Sequence, residues 1–130
     1  MSFDVPKKLE REINRLVKNY PEKRSAALMV LHALQEEYGH ISLEAEQWAA
    51  GRLNLQPINI HELVTFYPML REHDPGKPVV RVCRTLSCAL AGSARLHRHI
   101  CQRLGLEADA SGLQRTKDGR FGVEYAECLA

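Results

Sequence analysis

The stretch Asp74-Pro75-Gly76-Lys77-Pro78-Val79-Val80-Arg81-Val82-Cys83-Arg84-Thr85-Leu86-Ser87-Cys88 divides the chain into two parts of different character. Its first five residues hold two prolines and a glycine, which neither a helix interior nor a central strand accommodates. The next five, Val79 to Cys83, form a short β-branched run that predicts a buried strand. Cys83 to Cys88 reads as a loop, and Ala89 to Leu104 as a helix ended at Gly105. Further on, Asp118-Gly119 sits between Gln114-Arg115-Thr116 and Phe121-Gly122-Val123-Glu124-Tyr125. Phe121, Val123 and Tyr125 alternate with the smaller or polar positions, which predicts a hairpin with a tight turn. Strand, helix and paired strands together make a mixed α+β pattern.

Upstream of Asp74 the period is helical. Leu9, Ile13, Leu16, Val17 and Tyr20 fall on one stripe of a helix, which Pro21 stops. A second helix is expected from about Ser25 to Tyr38, with Leu28, Leu31, Leu34 and Tyr38 on its apolar side and Gly39 at its end. Ser42 is the candidate N-cap of a third helix carrying Leu43, Trp48, Ala49 and Leu53. Asn59 followed by Glu62 has the form of a capping box for a fourth, with Leu63, Val64 and Phe66 inside it. Four short helices with brief connections predict a small bundle. The expected organisation is a helical bundle over 1–73, a linker over 74–78 and an α+β domain over 79–130.

Composition narrows the function. At 130 residues and 45% hydrophobic, the chain has the make-up of an ordinary globular protein. Eighteen Lys+Arg against sixteen Asp+Glu gives a net charge of +2, too balanced for the basic stripe of a nucleic-acid binder. The longest apolar run, Ala26 to Leu31, falls far short of the roughly 20 residues that span a bilayer, so no membrane insertion is expected. Met1 to Pro6 lacks the cationic and apolar regions of a secretory signal. Four cysteines in a reducing compartment point to metal or redox chemistry more than to disulfides.

Cys83 lies at a strand end and Cys88 at the expected helix start. There, unpaired N–H groups and a positive helix terminus would stabilise thiolates and an anionic iron–sulfur core. A C-x4-C pair by itself is equally compatible with two incidental thiols. Cys101 lies inside the expected helix, roughly 20 Å along it from Cys88, farther than one cluster spans, and reads as a small buried hydrophobe. His97 and Cys101 share a helix face. With Cys83 and Cys88 they would compose a zinc ligand set, but about 13 Å of continuous helix separates His97 from Cys88. His32, His40, His61, His73 and His99 are scattered and read as solvated or capping side chains.

The segment Val82-Cys83-Arg84-Thr85-Leu86-Ser87-Cys88-Ala89-Leu90-Ala91-Gly92-Ser93 resembles the first half-site of the thioredoxin-like [2Fe-2S] ferredoxins. That family includes the E-type components of NADH:quinone oxidoreductase (respiratory complex I) and related subunits of NAD-linked hydrogenases and formate dehydrogenases. Tyr20-Pro21-Glu22-Lys23-Arg24-Ser25-Ala26, Leu34-Gln35-Glu36-Glu37-Tyr38-Gly39 and Val64-Thr65-Phe66-Tyr67 look like its N-terminal bundle. Asp118-Gly119-Arg120-Phe121 and Glu127-Cys128-Leu129-Ala130 look like the approach to its second half-site. The resemblance covers about residues 9 to 130.

The resemblance implies a helical bundle followed by a thioredoxin-like domain, and a one-electron carrier with no catalytic residue of its own. It implies one [2Fe-2S] cluster with Cys83, Cys88 and Cys128 as ligands, flanked by Arg81 and Arg84. A fourth ligand would fall at position 132, beyond Ala130, so the chain reads as truncated. In the family the last strands of the sheet also follow that point. Without them the Phe121–Tyr125 strand is expected to present an open, apolar edge. Implied partners are the NADH- and flavin-binding subunit of the same complex and further iron–sulfur subunits of its peripheral arm. The implied location is cytoplasmic, peripheral to the inner membrane, with residues 1–73 as a docking arm. Alternatives are a cluster-less scaffold or assembly subunit, a zinc-stabilised binding module, or the equivalent subunit of a hydrogenase or formate dehydrogenase.

Overall fold

A computed structural model describes residues 3–108 and 112–128, and the chain divides into two compact units, Met1–Asp74 and Pro75–Ala130. The first unit holds helices α1 (Lys7–Lys18), α2 (Ala27–Tyr38), α3 (Leu43–Leu53) and α4 (Pro57–Phe66), with a 3-10 turn at Lys23–Ala26 before α2. The second holds β1 (Val79–Cys83), α5 (Leu86–Leu90), α6 (Ser93–Leu104), β2 (Gln114–Arg115) and β3 (Gly122–Ala126). This is the expected mixed α+β architecture. No helix among the described residues is long and apolar enough to cross a membrane.

The bundle forms because each helix has an apolar stripe and no other surface on which to bury it. Ile13, Leu31, Leu34, Ile41, Leu53 and Ile60 are its largest fully buried side chains. Ser42 caps α3, its hydroxyl accepting the Ala45 amide at 3.3 Å. The fourth helix differs from expectation. It starts at Pro57, after Gln56, so Asn59 and Glu62 are interior positions and form no capping box. Proline at the first helical position has its φ already set and has no amide to leave unpaired, which outweighs the Asn signal two residues on. α1 turns Leu9 and Ile13 into the core, while Lys7, Lys8, Arg11, Arg15 and Lys18 point away from it. Those five cations recur mostly at three- and four-residue spacing along one side of the helix, a local asymmetry that the net charge of +2 conceals.

In the second unit β3 is the middle strand. The order is β1-β3-β2, with β1 parallel and β2 antiparallel to β3. The strand expected to have an open edge is thus paired on both sides, and among the described residues β1 and β2 are the outer strands. The reason is the crossover: α5 and α6 carry the chain back so that β3 enters alongside β1 in the same direction, as parallel pairing requires. The predicted hairpin is present, with Thr116 N–H donating to Phe121 O at 2.9 Å and Gly119 N–H to Thr116 O at 2.8 Å.

The helix expected over Ala89 to Leu104 is two helices. The first begins at Leu86, within the expected loop, and ends at Leu90; Gly92 then takes φ 103° and α6 starts afresh at Ser93. A residue with a Cβ seldom adopts that backbone, so the break is written in the glycine. Gly122 meets a different demand. A Cβ there would overlap the Pro75 carbonyl oxygen, because the Pro75–Pro78 turn closes directly over the start of β3.

Candidate metal centre

The parallel register sets Cys83 opposite Ala126, and the Arg84 amide extends the ladder to Ala126 O at 2.9 Å. Two residues further along each strand's exit stand Thr85 and Cys128. Thr85 Oγ1 lies 2.9 Å from Cys83 Sγ and 3.1 Å from Cys128 Sγ, so a single hydroxyl links thiols from the two strand ends. Cys88 is the third thiol; it lines the same groove as Cys83 and the two influence each other's ionisation. The structure therefore brings together Cys83, Cys88 and Cys128, the three residues named from sequence.

The surroundings differ from expectation in the place of Cys88, and they show what the flanking arginines are paired with. Cys88 lies inside α5, and a helix of five residues supplies little macrodipole. Arg81 and Arg84 are both paired across the strands rather than turned to the thiols alone. Arg81 Nε donates to Glu124 Oε1 at 2.7 Å and Arg84 Nε to Glu127 Oε1 at 2.5 Å. Each cation next to the site thus carries its own anion. The Arg84 guanidinium also covers the Tyr125 ring at 5.6 Å, and His97 stacks on that ring at 3.9 Å. The second pair holds Glu127, and with it the neighbouring Cys128, to the Cys83–Thr85 segment.

Hydrogen bonding makes the thiols unequal. The Thr85 hydroxyl, the Thr85 backbone amide and the Cys88 thiol pull the Cys83 pKa down to about 6. An acceptor sulfur with this many donors is stabilised as the thiolate. Cys88 moves up, because its proton serves Cys83 and because burial and the like charges of Cys83 and Cys128 oppose a further anion. An apolar groove of about 380 Å³ runs beside the pair, lined by Val80, Arg81, Cys83, Cys88, Leu96 and Ile100. Leu86 and Leu90 on α5 are 76% and 81% exposed.

Cys101 is apart from this cluster. It is fully buried, its sulfur 3.7 Å from each ring nitrogen of His97 and 3.8 Å from Gln114 Nε2. Because the helix breaks at Gly92, a distance reckoned along a continuous helix does not apply. Its separation rests instead on the face of α6 it occupies, with Gln114 and His97, whereas Cys88 opens on the groove. Burial pushes the Cys101 thiol up, as for a thiol enclosed in apolar surroundings. Among the described residues no three His, Cys, Asp or Glu side chains converge on one metal ion, and no zinc set forms from Cys83, Cys88, His97 and Cys101.

A two-iron cluster makes a different demand. With four cysteines over two irons, each iron needs a pair of thiolates, not three donors around one point. Three thiols, one of them acidified, are the right donor type for such a group and supply three of its four ligands. Thr85 was missed from sequence; its signal is positional, since in parallel register it stands level with Cys128. Glu46 was also missed. It is buried on α3 and bonded to His61 Nδ1 on α4 at 3.1 Å, so His61 is neither a capping nor a simply solvated histidine.

The profile of the thioredoxin-like [2Fe-2S] ferredoxin family matches residues 13–130. The chain is 31% identical to the E component of the NADH-quinone oxidoreductase of Aquifex aeolicus (strain VF5), over 98% of its own length and 77% of that protein's. It is also 31% identical to one such component, the one numbered 2, of the NADH-quinone oxidoreductase of Rhizobium meliloti (strain 1021), covering 93% of this chain and 70% of the relative. Identity is 24% to HndA, a component of the NADP-reducing hydrogenase of Solidesulfovibrio fructosivorans, across 96% of this chain and 71% of that one.

Proposed function

We propose, for a chain that belongs to the thioredoxin-like [2Fe-2S] ferredoxin family, a one-electron carrier whose cluster is held by Cys83, Cys88 and Cys128. The observation that carries the reading is the meeting of Cys83 and Cys128 at the Thr85 hydroxyl, Thr85 and Cys128 being 43 residues apart, with Cys88 on the groove that Cys83 also lines. When bound, the group supplies reversible one-electron storage. The protein's own residues do the rest. Cys83 is already poised as a thiolate, and Thr85 and the Arg84–Glu127 pair hold Cys128 against the Cys83 loop. The fourth thiolate belongs, on this reading, four positions after Cys128.

The carrier serves as a subunit of an NADH:quinone oxidoreductase, exchanging single electrons with the flavin of the NADH-binding subunit and neighbouring further iron–sulfur subunits. The relatives from such oxidoreductases support it. Its place is at the cytoplasmic side of the membrane, held there by the complex. Residues 1–73 act as the docking arm, offering the cationic side of α1 to an acidic partner surface. A second reading, the equivalent subunit of a hydrogenase, draws support from the relative of that name.

Two measurements test the assignment. In the full-length protein, Cys83→Ser, Cys88→Ser or Cys128→Ser abolishes the reduced-state EPR signal of the cluster, while Cys101→Ala leaves it nearly intact. Equal loss in all four variants would remove the basis of the ligand assignment. Isolation of the native complex then identifies the flavoprotein partner, which separates the oxidoreductase from the hydrogenase.

A further inference from the structure

We propose that Thr85 is a positioning residue that raises the reduction potential of the centre by donating its hydroxyl proton to a ligand thiolate. The proposal rests on the assignment of Cys83 and Cys128 as ligands. Thr85 occupies the N-cap of α5, where a threonine hydroxyl ordinarily accepts an amide of the first turn. Here it makes no such bond. The hydroxyl is turned instead to sulfur, 2.9 Å from Cys83 and 3.1 Å from Cys128. Between a hydroxyl and a thiol either partner can be the donor. Once both sulfurs are metal-bound thiolates they have no proton to give, so the hydroxyl must donate, to one sulfur at a time.

A donor bond to an anionic sulfur strengthens as negative charge accumulates there. Reduction adds one electron to the centre and loads its sulfur ligands further, so the bond favours the reduced form. Hydrogen bonds to sulfur are a recognised determinant of iron–sulfur potentials. The neighbouring cations are less suited to the task, since Arg81 and Arg84 are each engaged by a carboxylate. Thr85 also lies within reach of thiols from both strand ends, so its one proton can be given to either sulfur.

The test compares wild type, Thr85→Val and Thr85→Ser in the cluster-bearing full-length protein. Valine keeps the shape and removes the proton; serine keeps the proton. Redox titration followed by EPR is expected to show a more negative midpoint potential for Thr85→Val and a near wild-type value for Thr85→Ser. In the reduced wild type an exchangeable-proton hyperfine coupling, identified by its loss in deuterated buffer, is expected; it should be present in the serine variant and absent from the valine variant. An unchanged or more positive Thr85→Val potential, with the cluster present, overturns the role of Thr85 and leaves the ligand assignment standing. Absence of iron and sulfide from wild type overturns the assignment and this proposal together. If Thr85→Val takes up no cluster, the wild-type coupling decides: its presence supports the donor bond and its absence refutes it.

Discussion

Gly122→Ala provides a direct test of how the second unit is built. The added Cβ would overlap the Pro75 carbonyl oxygen, stand 3.1 Å from the carbonyl carbon and 3.5 Å from Leu113 Cδ1. Two of these neighbours are backbone atoms and cannot rotate away. Relief requires the Pro75–Pro78 turn to lift from β3, and the Gly122 N–H to Pro78 O bond of 3.0 Å is then lost. One backbone hydrogen bond contributes about 0.5–1.5 kcal/mol, and forced overpacking costs about 1–3 kcal/mol. The expected loss is therefore about 1.5–4.5 kcal/mol, confined to the second unit. Gly51→Ala is the counterpart: it lies within α3 with nothing within 4 Å of its Cβ position. That change should stabilise the bundle by about 0.5–1 kcal/mol, because alanine restricts the unfolded chain more than glycine. The single tryptophan, Trp48, lies on α3, so its fluorescence reports the bundle. Amide exchange along β3 reports the second unit. A fall in β3 protection with unchanged Trp48 unfolding is the expected result for Gly122→Ala. A loss below about 0.5 kcal/mol, the range of an ordinary surface change, would refute the reasoning.

The remaining predictions concern the bundle. Its stability should depend on pH through His61, whose pKa is raised by the Glu46 hydrogen bond first and then by the charges of Glu46 and Glu72. A raised folded pKa stabilises fully below the unfolded value, about 6.5, and that contribution disappears as pH climbs through the folded value. Unfolding midpoints measured across this window should decline with rising pH in wild type and flatten in Glu46→Gln; the same decline in both would exclude the pair as its source. Ile13→Ala empties a fully buried site on α1 and should cost about 2–5 kcal/mol by Trp48-monitored unfolding. Trp48→Ala should fall below the roughly 3–5 kcal/mol typical of a core tryptophan, because the ring is only partly buried, with Arg52 at 6.0 Å from its centroid.

Local signals in the sequence carried most of the helices. Ser42 and Gly39 sit where the start of α3 and the end of α2 are observed, because capping is decided within one turn of chain. Where two local signals competed, the less obvious one prevailed: Pro57 rather than Asn59 starts α4. The break at Gly92 is hard to foresee, because a glycine interior to a helical pattern is tolerated often enough to hide it. Strand order was beyond local reading. Nothing near Phe121 states that its strand is central, since this follows from a crossover through α5 and α6. The cysteines were visible by spacing and by resemblance. Their hydroxyl partner was not, as its significance appears only once the parallel register is known. Glu46 and His61, on separate helices, were invisible for the same reason: only the packing of α3 on α4 brings them together.

The register that joins Cys83 to Ala126 also fixes when the thiols can meet. Thr85 and Cys128 are 43 residues apart, whereas the bundle helices pack largely against sequence neighbours. Closing a long loop is entropically unfavourable, growing as the logarithm of its length, and such non-local pairings form late in folding. On a ribosome the bundle emerges first and has a core of its own, while Cys83 and Cys88 wait for β3 to be synthesised and paired. The donor set is therefore an outcome of tertiary pairing rather than a feature of any segment. Metal loading and completion of the sheet become thermodynamically linked, each drawing the other forward.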